Sequence, residues 1–154
     1  MIGGSAALAQ RLEESGRSAL MSHHSRTFVV VHLVWATDGR APILPAAFDV
    51  RLGAILGDSA RSAGCVLLLA GCASDHVHTL VRLAPRVALA NLVQRMKGAS
   101  SHESNHHALL PERLAWQLGY WAESVSPSDI DPVKRYLRAQ REHHEARKSL
   151  EPWE

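Results

Sequence analysis

The sequence predicts an α+β protein with a ferredoxin-like β-α-β-β-α-β order, an antiparallel sheet and one added C-terminal helix that carries a tyrosine. Three observations support this fold class. Short apolar runs of strand length alternate with segments whose apolar residues recur at helical spacing. Gly, Pro and Asp residues separate these segments, as expected at turns. No internal repeat interrupts the order, so we expect one sheet with two helices on one face.

The first four elements follow from residue type and spacing. Residues 27–36 (TFVVVHLVWA) are β-branched and aromatic, which predicts a buried strand. Residues 46–63 carry apolar side chains at helical spacing and predict a helix that Gly64 ends. Residues 65–72 (CVLLLAGC) predict a second strand, and the alternating residues 76–83 (HVHTLVRL) predict a third strand that forms a hairpin with it.

The second half of the chain predicts two further helices and a strand. Residues 87–107 have the spacing of a helix, and residues 116–124 (WQLGYWAES) indicate the fourth strand. Asp131 followed by Pro132 is typical of a helix start, with Asp131 as the N-cap and Pro132 in the first turn. The last helix is therefore expected over residues 133–147.

Length and composition indicate one domain, with 154 residues of which 46% are hydrophobic. Residues 1–22 are rich in Ala, Gly and Ser, and we expect a mobile tail ahead of a domain over residues 23–154. No apolar run reaches the roughly 18 residues that cross a bilayer. These features predict a cytoplasmic protein with no membrane partner, and the net charge of +2 permits an anionic partner without requiring one.

Two of the ten histidines are spaced for chemistry. His76 and His78 lie two apart on a predicted strand, so both imidazoles belong to one face, roughly 7 Å apart at the backbone. This geometry suits two nitrogen ligands of one divalent ion. Asp75 precedes them and is placed to hydrogen-bond an imidazole and fix its tautomer.

Other interpretations of the histidine pair remain open at this stage. The two side chains could simply face water on an antiparallel strand. Zinc needs more ligands than two histidines supply, and Cys65 and Cys72 are candidates although their spacing is not that of a zinc clip. These cysteines otherwise look like small core residues in a reducing compartment. A histidine-triad hydrolase would need a third alternating histidine, where Leu80 stands.

A second candidate group lies on the last predicted helix. Tyr136 and Gln140 are four residues apart and share a helix face. Cations around Tyr136 lower the cost of forming a phenolate, which can attack a phosphodiester. Gln140 offers a neutral oxygen ligand, which suits Mg²⁺ or Mn²⁺ better than zinc. The alternative is that Tyr136 packs against the core and Gln140 is solvated.

Basic and aromatic side chains predict a DNA surface. Trp121 is a candidate for stacking on an unpaired base, whereas Trp116 is expected in the core. The strongest candidates for phosphate contacts are Arg95, Lys97, Lys134, Arg135 and Arg138.

The histidine pair and the tyrosine helix, in this order, resemble the single-tyrosine HUH transposases of bacterial insertion sequences and the REP-associated tyrosine transposases. The resemblance covers roughly residues 23–148. It is carried by five collinear segments, which are VHLVWAT (31–37), DHVHTLV (75–81), VQRMKGASS (93–101), WQLGY (116–120) and SVSPSDIDPVKRYLRAQREHH (124–144). Two differences from the family pattern are Asp38, where a basic residue is common, and Glu123, which adds negative charge near the expected DNA surface.

The resemblance implies a mechanism and partners. Tyr136 would be the nucleophile, and His76, His78 and Gln140 would bind Mg²⁺ or Mn²⁺. The family cuts single-stranded DNA with hairpin ends, keeps a 5′-phosphotyrosine link and acts as homodimers, often with the tyrosine helix completing the partner subunit's site. We therefore expect a metal-dependent single-strand DNA transposase of a mobile element. The alternative is a domesticated, non-catalytic protein that binds DNA hairpins.

Overall fold

The computed structural model describes residues 26–146, with side chains up to residue 139, and it confirms the predicted α+β fold. The predicted tail, residues 1–22, lies outside the described residues. The strands and helices are β1 (Val29–Ala36), α1 (Asp49–Ser62), β2 (Val66–Cys72), β3 (His76–Leu83), α2 (Leu89–His106), β4 (Trp121–Val125) and α3 (Ile130–Ala146).

The described strands form one antiparallel sheet in the order β2-β3-β1-β4. The two central strands, β1 and β3, therefore each pair with a neighbouring strand on both sides. In their register Val34 pairs with His78 and Ala36 pairs with His76. The histidine pair thus lies on a central strand, beside the C-terminal end of β1.

One face of the sheet is covered by α1 and α2 and holds the larger hydrophobic core. Alternate residues of the central strands, such as Leu33 and Val77, point to this face and are fully buried. The helices contribute apolar residues at three- and four-residue spacing, which places them on one side of each helix. The buried helical residues include Leu52, Leu56, Leu92, Val93 and Met96.

The opposite face carries α3 and a smaller apolar cluster. Val30, Leu80 and Leu137 are buried together there, and Ile130 and Val133 pack against them. The residues of α3 in this cluster recur at three- and four-residue spacing, so α3 packs on the sheet through one apolar side of the helix. None of the helices in the described part of the chain is both long and apolar enough to cross a membrane.

The predicted start of the last helix was placed too late. The chain turns into a 3-10 segment at Pro127–Asp129 and continues directly into α3 at Ile130. Ser126 is extended (φ −71°, ψ 153°), and its hydroxyl donates to the Asp129 carboxylate. Ser126 is the N-cap position of this 3-10 segment and Pro127 its first residue, so the helical segment begins five residues before the predicted Asp131 and Pro132.

The fourth strand is shorter than predicted. β4 begins at Trp121, and Trp116 joins the sheet only through an isolated bridge with Thr37. Between Trp116 and β4 the Gln117 nitrogen still donates to the Ala36 carbonyl at 2.9 Å. The carbonyls of Gln117, Leu118 and Gly119 instead accept hydrogen bonds from Lys97 Nζ. Trp116 is half-buried, as expected for a residue at the edge of the core, with its ring edge-on to Trp35.

Candidate metal and tyrosine site

The histidine pair is buried on the face of the sheet that carries α3. His76 and His78 are only 2% and 1% exposed, and their ring centroids are 4.9 Å apart. Val77 between them points into the larger core, as the period of two predicts. The alternative of two polar side chains facing water is wrong, because α3 packs on this face.

Asp75 orients the first histidine. His76 Nδ1 lies 2.6 Å from Asp75 Oδ1, and Arg40 Nε lies 3.6 Å from the other carboxylate oxygen. The backbone nitrogen of Thr37 donates to the Asp75 carbonyl at 2.8 Å, which fixes the loop after β1 against the start of β3. The predicted contact of Asp75 with an imidazole is thus present, and Arg40 lies beside it, which the sequence did not predict.

Arg40 occupies an unusual backbone conformation. Its φ is +57°, next to Gly39 at +61°, in the left-handed region that costs a non-glycine residue roughly 1 kcal/mol or more. The Thr37 hydroxyl donates to the Ala41 carbonyl at 2.8 Å and closes this turn. The turn therefore holds the Arg40 guanidinium beside Asp75.

A third histidine, His32, belongs to the site and was also missed. His32 Nε2 lies 3.0 Å from His78 Nδ1, and the residue is 6% exposed. The Trp121 ring packs edge-on against it at 5.3 Å between centroids. A histidine in an otherwise apolar strand was the available signal, but its partner is 46 residues away and depends on the strand register.

The donor set fits a divalent ion held by imidazole Nε2 atoms. His76 and His78 each engage a protein group through Nδ1, so Nε2 would be the ligand atom of both. Within residues 26–146 no group of three His, Cys, Asp or Glu side chains is arranged to hold a metal ion. The predicted third ligand, Gln140, has a side chain that lies outside the described residues.

The cysteines do not take part in this site. Cys65 and Cys72 form no disulfide and are buried in the larger core, on the face opposite the histidines. The expectation that they are small core residues is confirmed. A zinc site built from both cysteines and the histidine pair is wrong, because the sheet separates the two sets of side chains.

The tyrosine helix lies close to the histidine pair. A Cβ added at Gly71 would stand 3.2 Å from the Leu137 carbonyl oxygen, and Gly71 pairs with His78 in the sheet. Leu137 is buried against Leu80, two residues after His78. Tyr136 precedes Leu137 and is 40% exposed. Position 140 follows one helical turn later.

The predicted DNA-contacting residues are not all on one surface. Lys134, Arg135 and Arg138 lie on α3 beside Tyr136, with the two arginines exposed. Arg95 lies on α2 and donates to the Ser62 hydroxyl at 3.4 Å, on the face away from the histidines. The α3 cations and Arg95 thus lie on opposite faces of the sheet, and DNA contact by each of these residues stays a prediction.

Lys97 is engaged within the protein. Its three carbonyl contacts hold the loop before β4, and burial lowers the pKa of its ammonium group. The carbonyl oxygens solvate the charge that burial would otherwise penalise. Lys97 therefore stabilises the segment that leads to Trp121. Its contact with DNA stays a prediction.

Comparison with known proteins gives a consistent picture. The family model described as IS200-like transposase matches residues 25–140. The ISDra2 transposase TnpA of Deinococcus radiodurans is 28% identical over 114 residues, which cover 71% of this chain and 81% of that protein.

Two solved structures share the fold. One, described as a transposase from Deinococcus radiodurans, superposes with a TM-score of 0.59 and 26% identity, covering 77% of this chain and 95% of that chain. A REP-associated tyrosine transposase bound to a REP hairpin gives a TM-score of 0.55 at 14% identity, covering 80% and 74% of the two chains. Since the family model spans most of its length, this chain belongs to the IS200-like transposase family.

Proposed function

We propose that this transposase is a metal-dependent enzyme that nicks and rejoins single-stranded DNA through Tyr136. The observation that carries the proposal is the close approach of the tyrosine helix to the strand beside His78. A nucleophile-bearing helix and a buried pair of potential metal ligands thereby share one side of the sheet. Neither feature alone would distinguish a catalytic site from a packed core.

The reaction is a transesterification. The Tyr136 phenolate oxygen attacks the scissile phosphorus, the bond from phosphorus to the 3′ oxygen breaks, and that oxygen takes a proton. The product is a 5′-phosphotyrosine and a free 3′-hydroxyl. Rejoining is the reverse step with a new 3′-hydroxyl, so one phosphodiester replaces another and no external energy source is needed.

His76, His78 and Gln140 would hold the ion, which we propose to be Mg²⁺ or Mn²⁺. The bound ion would polarise the non-bridging phosphate oxygens at the scissile bond. Asp75 accepts the Nδ1 proton of His76 and keeps the Nε2 lone pair of that ring available for a ligand. The Arg40 guanidinium lies 3.6 Å from the other oxygen of this carboxylate and helps to hold it beside His76.

We propose DNA with hairpin ends as the substrate. Support comes from the structural relative, which was solved with a REP hairpin bound. In this chain Lys134, Arg135 and Arg138 flank Tyr136 and would contact phosphates near the cleaved bond. Trp121 lies on the histidine face and would stack on an unpaired base entering the site.

We also propose that each chain of a cytoplasmic homodimer completes its own site. Leu137 anchors α3 on the sheet of the same chain, against Val30 and Leu80. The alternative, in which the helix crosses to the partner subunit, would require this cluster to open and exchange its apolar contacts between the two subunits.

A covalent-adduct assay tests the proposal. The full chain is incubated with Mn²⁺ and labelled single-stranded oligonucleotides containing the hairpins that flank its own gene. We expect a labelled protein band on a denaturing gel that requires the metal and is absent from the Tyr136→Phe variant. That variant keeps the ring and removes only the hydroxyl.

Two other outcomes would contradict the proposal. Hairpin binding with no adduct under any metal condition would favour the domesticated, non-catalytic binder. DNA cleavage that persists in Tyr136→Phe would show that a residue or water other than Tyr136 attacks the phosphorus.

A further inference from the structure

His32 and His78 form a buried imidazole pair behind the proposed metal site. Their rings stack with 5.2 Å between centroids and 19° between planes, and the Nε2 to Nδ1 distance is 3.0 Å. His32 pairs with Leu80 in the register, so it reaches His78 diagonally across the two central strands. The contact is therefore held by the middle of the sheet and not by a loop.

A hydrogen bond between two neutral imidazoles has two forms. In the first, His78 donates from Nδ1 and its Nε2 keeps a lone pair. In the second, His32 donates from Nε2 and His78 carries its proton on its own Nε2. Only the first form allows His78 to bind an ion through Nε2, because a protonated nitrogen has no lone pair to donate.

We propose that His32 is a positioning residue that accepts the Nδ1 proton of His78 and so presents His78 Nε2 to the metal ion. The inference rests on the proposed function, since it takes His78 as a ligand. His32 carries its own proton on Nδ1 and does not touch the ion. The Trp121 ring packs edge-on at 79° against the His32 ring on the side of β1 that faces β4.

The two proposed ligands thus have different partners. His76 faces the Asp75 carboxylate, which accepts a proton and does not donate one when ionised. His78 faces an imidazole, which can do either. The tautomer of His76 is therefore enforced by charge, whereas that of His78 depends on which proton His32 keeps. Loss of His32 should affect His78 alone.

Three variants separate this role from simple packing. His32→Leu fills much of the same space and offers no acceptor. His32→Gln restores an acceptor oxygen on a side chain of similar reach. Val30→Ala lies two residues earlier on the same face of β1 and removes buried apolar volume without touching His78.

Two measurements are made on the full-length protein. Nitrogen-15 NMR of the imidazoles in the metal-free state reports which nitrogen of His78 is protonated. Calorimetric titration with Mn²⁺ alone reports affinity. We expect wild-type His78 to be protonated on Nδ1, and His32→Leu to shift it towards Nε2 and raise the Kd for Mn²⁺ about 10- to 100-fold.

The controls have distinct expected results. His32→Gln should retain most of the affinity, and Val30→Ala should lower the Tm without changing the Kd. A wild-type His78 protonated on Nε2 would overturn the inference, as would a His32→Leu protein that binds Mn²⁺ like the wild type. If His32→Leu does not fold, the test rests on the tautomer of His78 in the wild-type protein and on the affinity of His32→Gln for Mn²⁺.

Failure of the proposed function would look different. A wild-type protein with His78 protonated on Nδ1 but no affinity for Mn²⁺ or Mg²⁺ would support the hydrogen-bond assignment. The same result would overturn the metal-dependent reaction.

Discussion

The two faces of the sheet bury different kinds of side chain. The face under α1 and α2 is filled with aliphatic residues such as Leu33 and Val77, and Cys65 and Cys72 are buried among them. The face under α3 buries three histidines beside a small apolar cluster around Leu80 and Leu137. Both faces are built by the same strands, which alternate between them residue by residue.

The difference shows how one sheet separates stability from chemistry. The apolar face contributes hydrophobic burial that does not depend on which ion or DNA is bound. The histidine face buries polar groups, each of which needs a hydrogen-bond partner or a bound ligand. Substitutions in the larger core of the first face should therefore change stability, whereas substitutions of the histidines on the second face should change metal binding and cleavage.

The largest effect is expected for His78→Ala. Removing a proposed ligand should reduce the covalent adduct with hairpin DNA to the level of Tyr136→Phe. The fold should persist, because the lost side chain lies outside the larger hydrophobic core. Adduct yield and far-ultraviolet circular dichroism measure the two effects, and a variant with wild-type adduct yield would remove His78 from the site.

On the apolar face, Leu56→Ala should lower the free energy of unfolding by about 2–5 kcal/mol, because Leu56 is fully buried in the larger core. Below its Tm the variant should form the adduct normally. Val50→Ala on the same helix is the matched control, since Val50 is 86% exposed and should change stability little. Urea titration measures both, and equal effects of the two substitutions would contradict the assignment of the core.

Lys97→Met should cost about 1–2 kcal/mol of stability, somewhat below the range for fully buried charged hydrogen bonds, because Lys97 is only half-buried. The loop before β4 should loosen, while the salt dependence of DNA binding should stay the same. Leu118→Ala, with a fully exposed side chain in that loop, serves as control. A weaker salt dependence in Lys97→Met would instead indicate a direct phosphate contact.

The smallest effect is expected for Gly71→Ala. The added methyl group would meet the Leu137 carbonyl at 3.2 Å and push α3 outward by a few tenths of an ångström. Adduct formation should slow several-fold with little change in metal affinity, since only the tyrosine helix moves. Gly53→Ala, where a Cβ has open space, should leave the rate unchanged. Identical rates for both variants would argue against close packing of α3.

Local sequence patterns predicted the strands and helices and the face of the sheet to which each strand residue points. They failed where the position of a side chain depends on residues far away in the sequence. The period of two placed His76 and His78 together and Val77 opposite, since strand alternation needs no tertiary information. His32 was missed because only the β1–β3 register brings it to His78. The helix start was placed five residues too late, at Asp131 and not at Ser126.

A mixing experiment tests the central claim that Tyr136 and the histidines of one chain form a single site. Tyr136→Phe and His78→Ala proteins carry different tags, and co-purification verifies that mixed dimers form. The account predicts no adduct in the mixture with Mn²⁺ and hairpin DNA, because each chain lacks one half of its own site. An adduct on the His78→Ala chain would contradict it and show that α3 completes the site of the partner subunit.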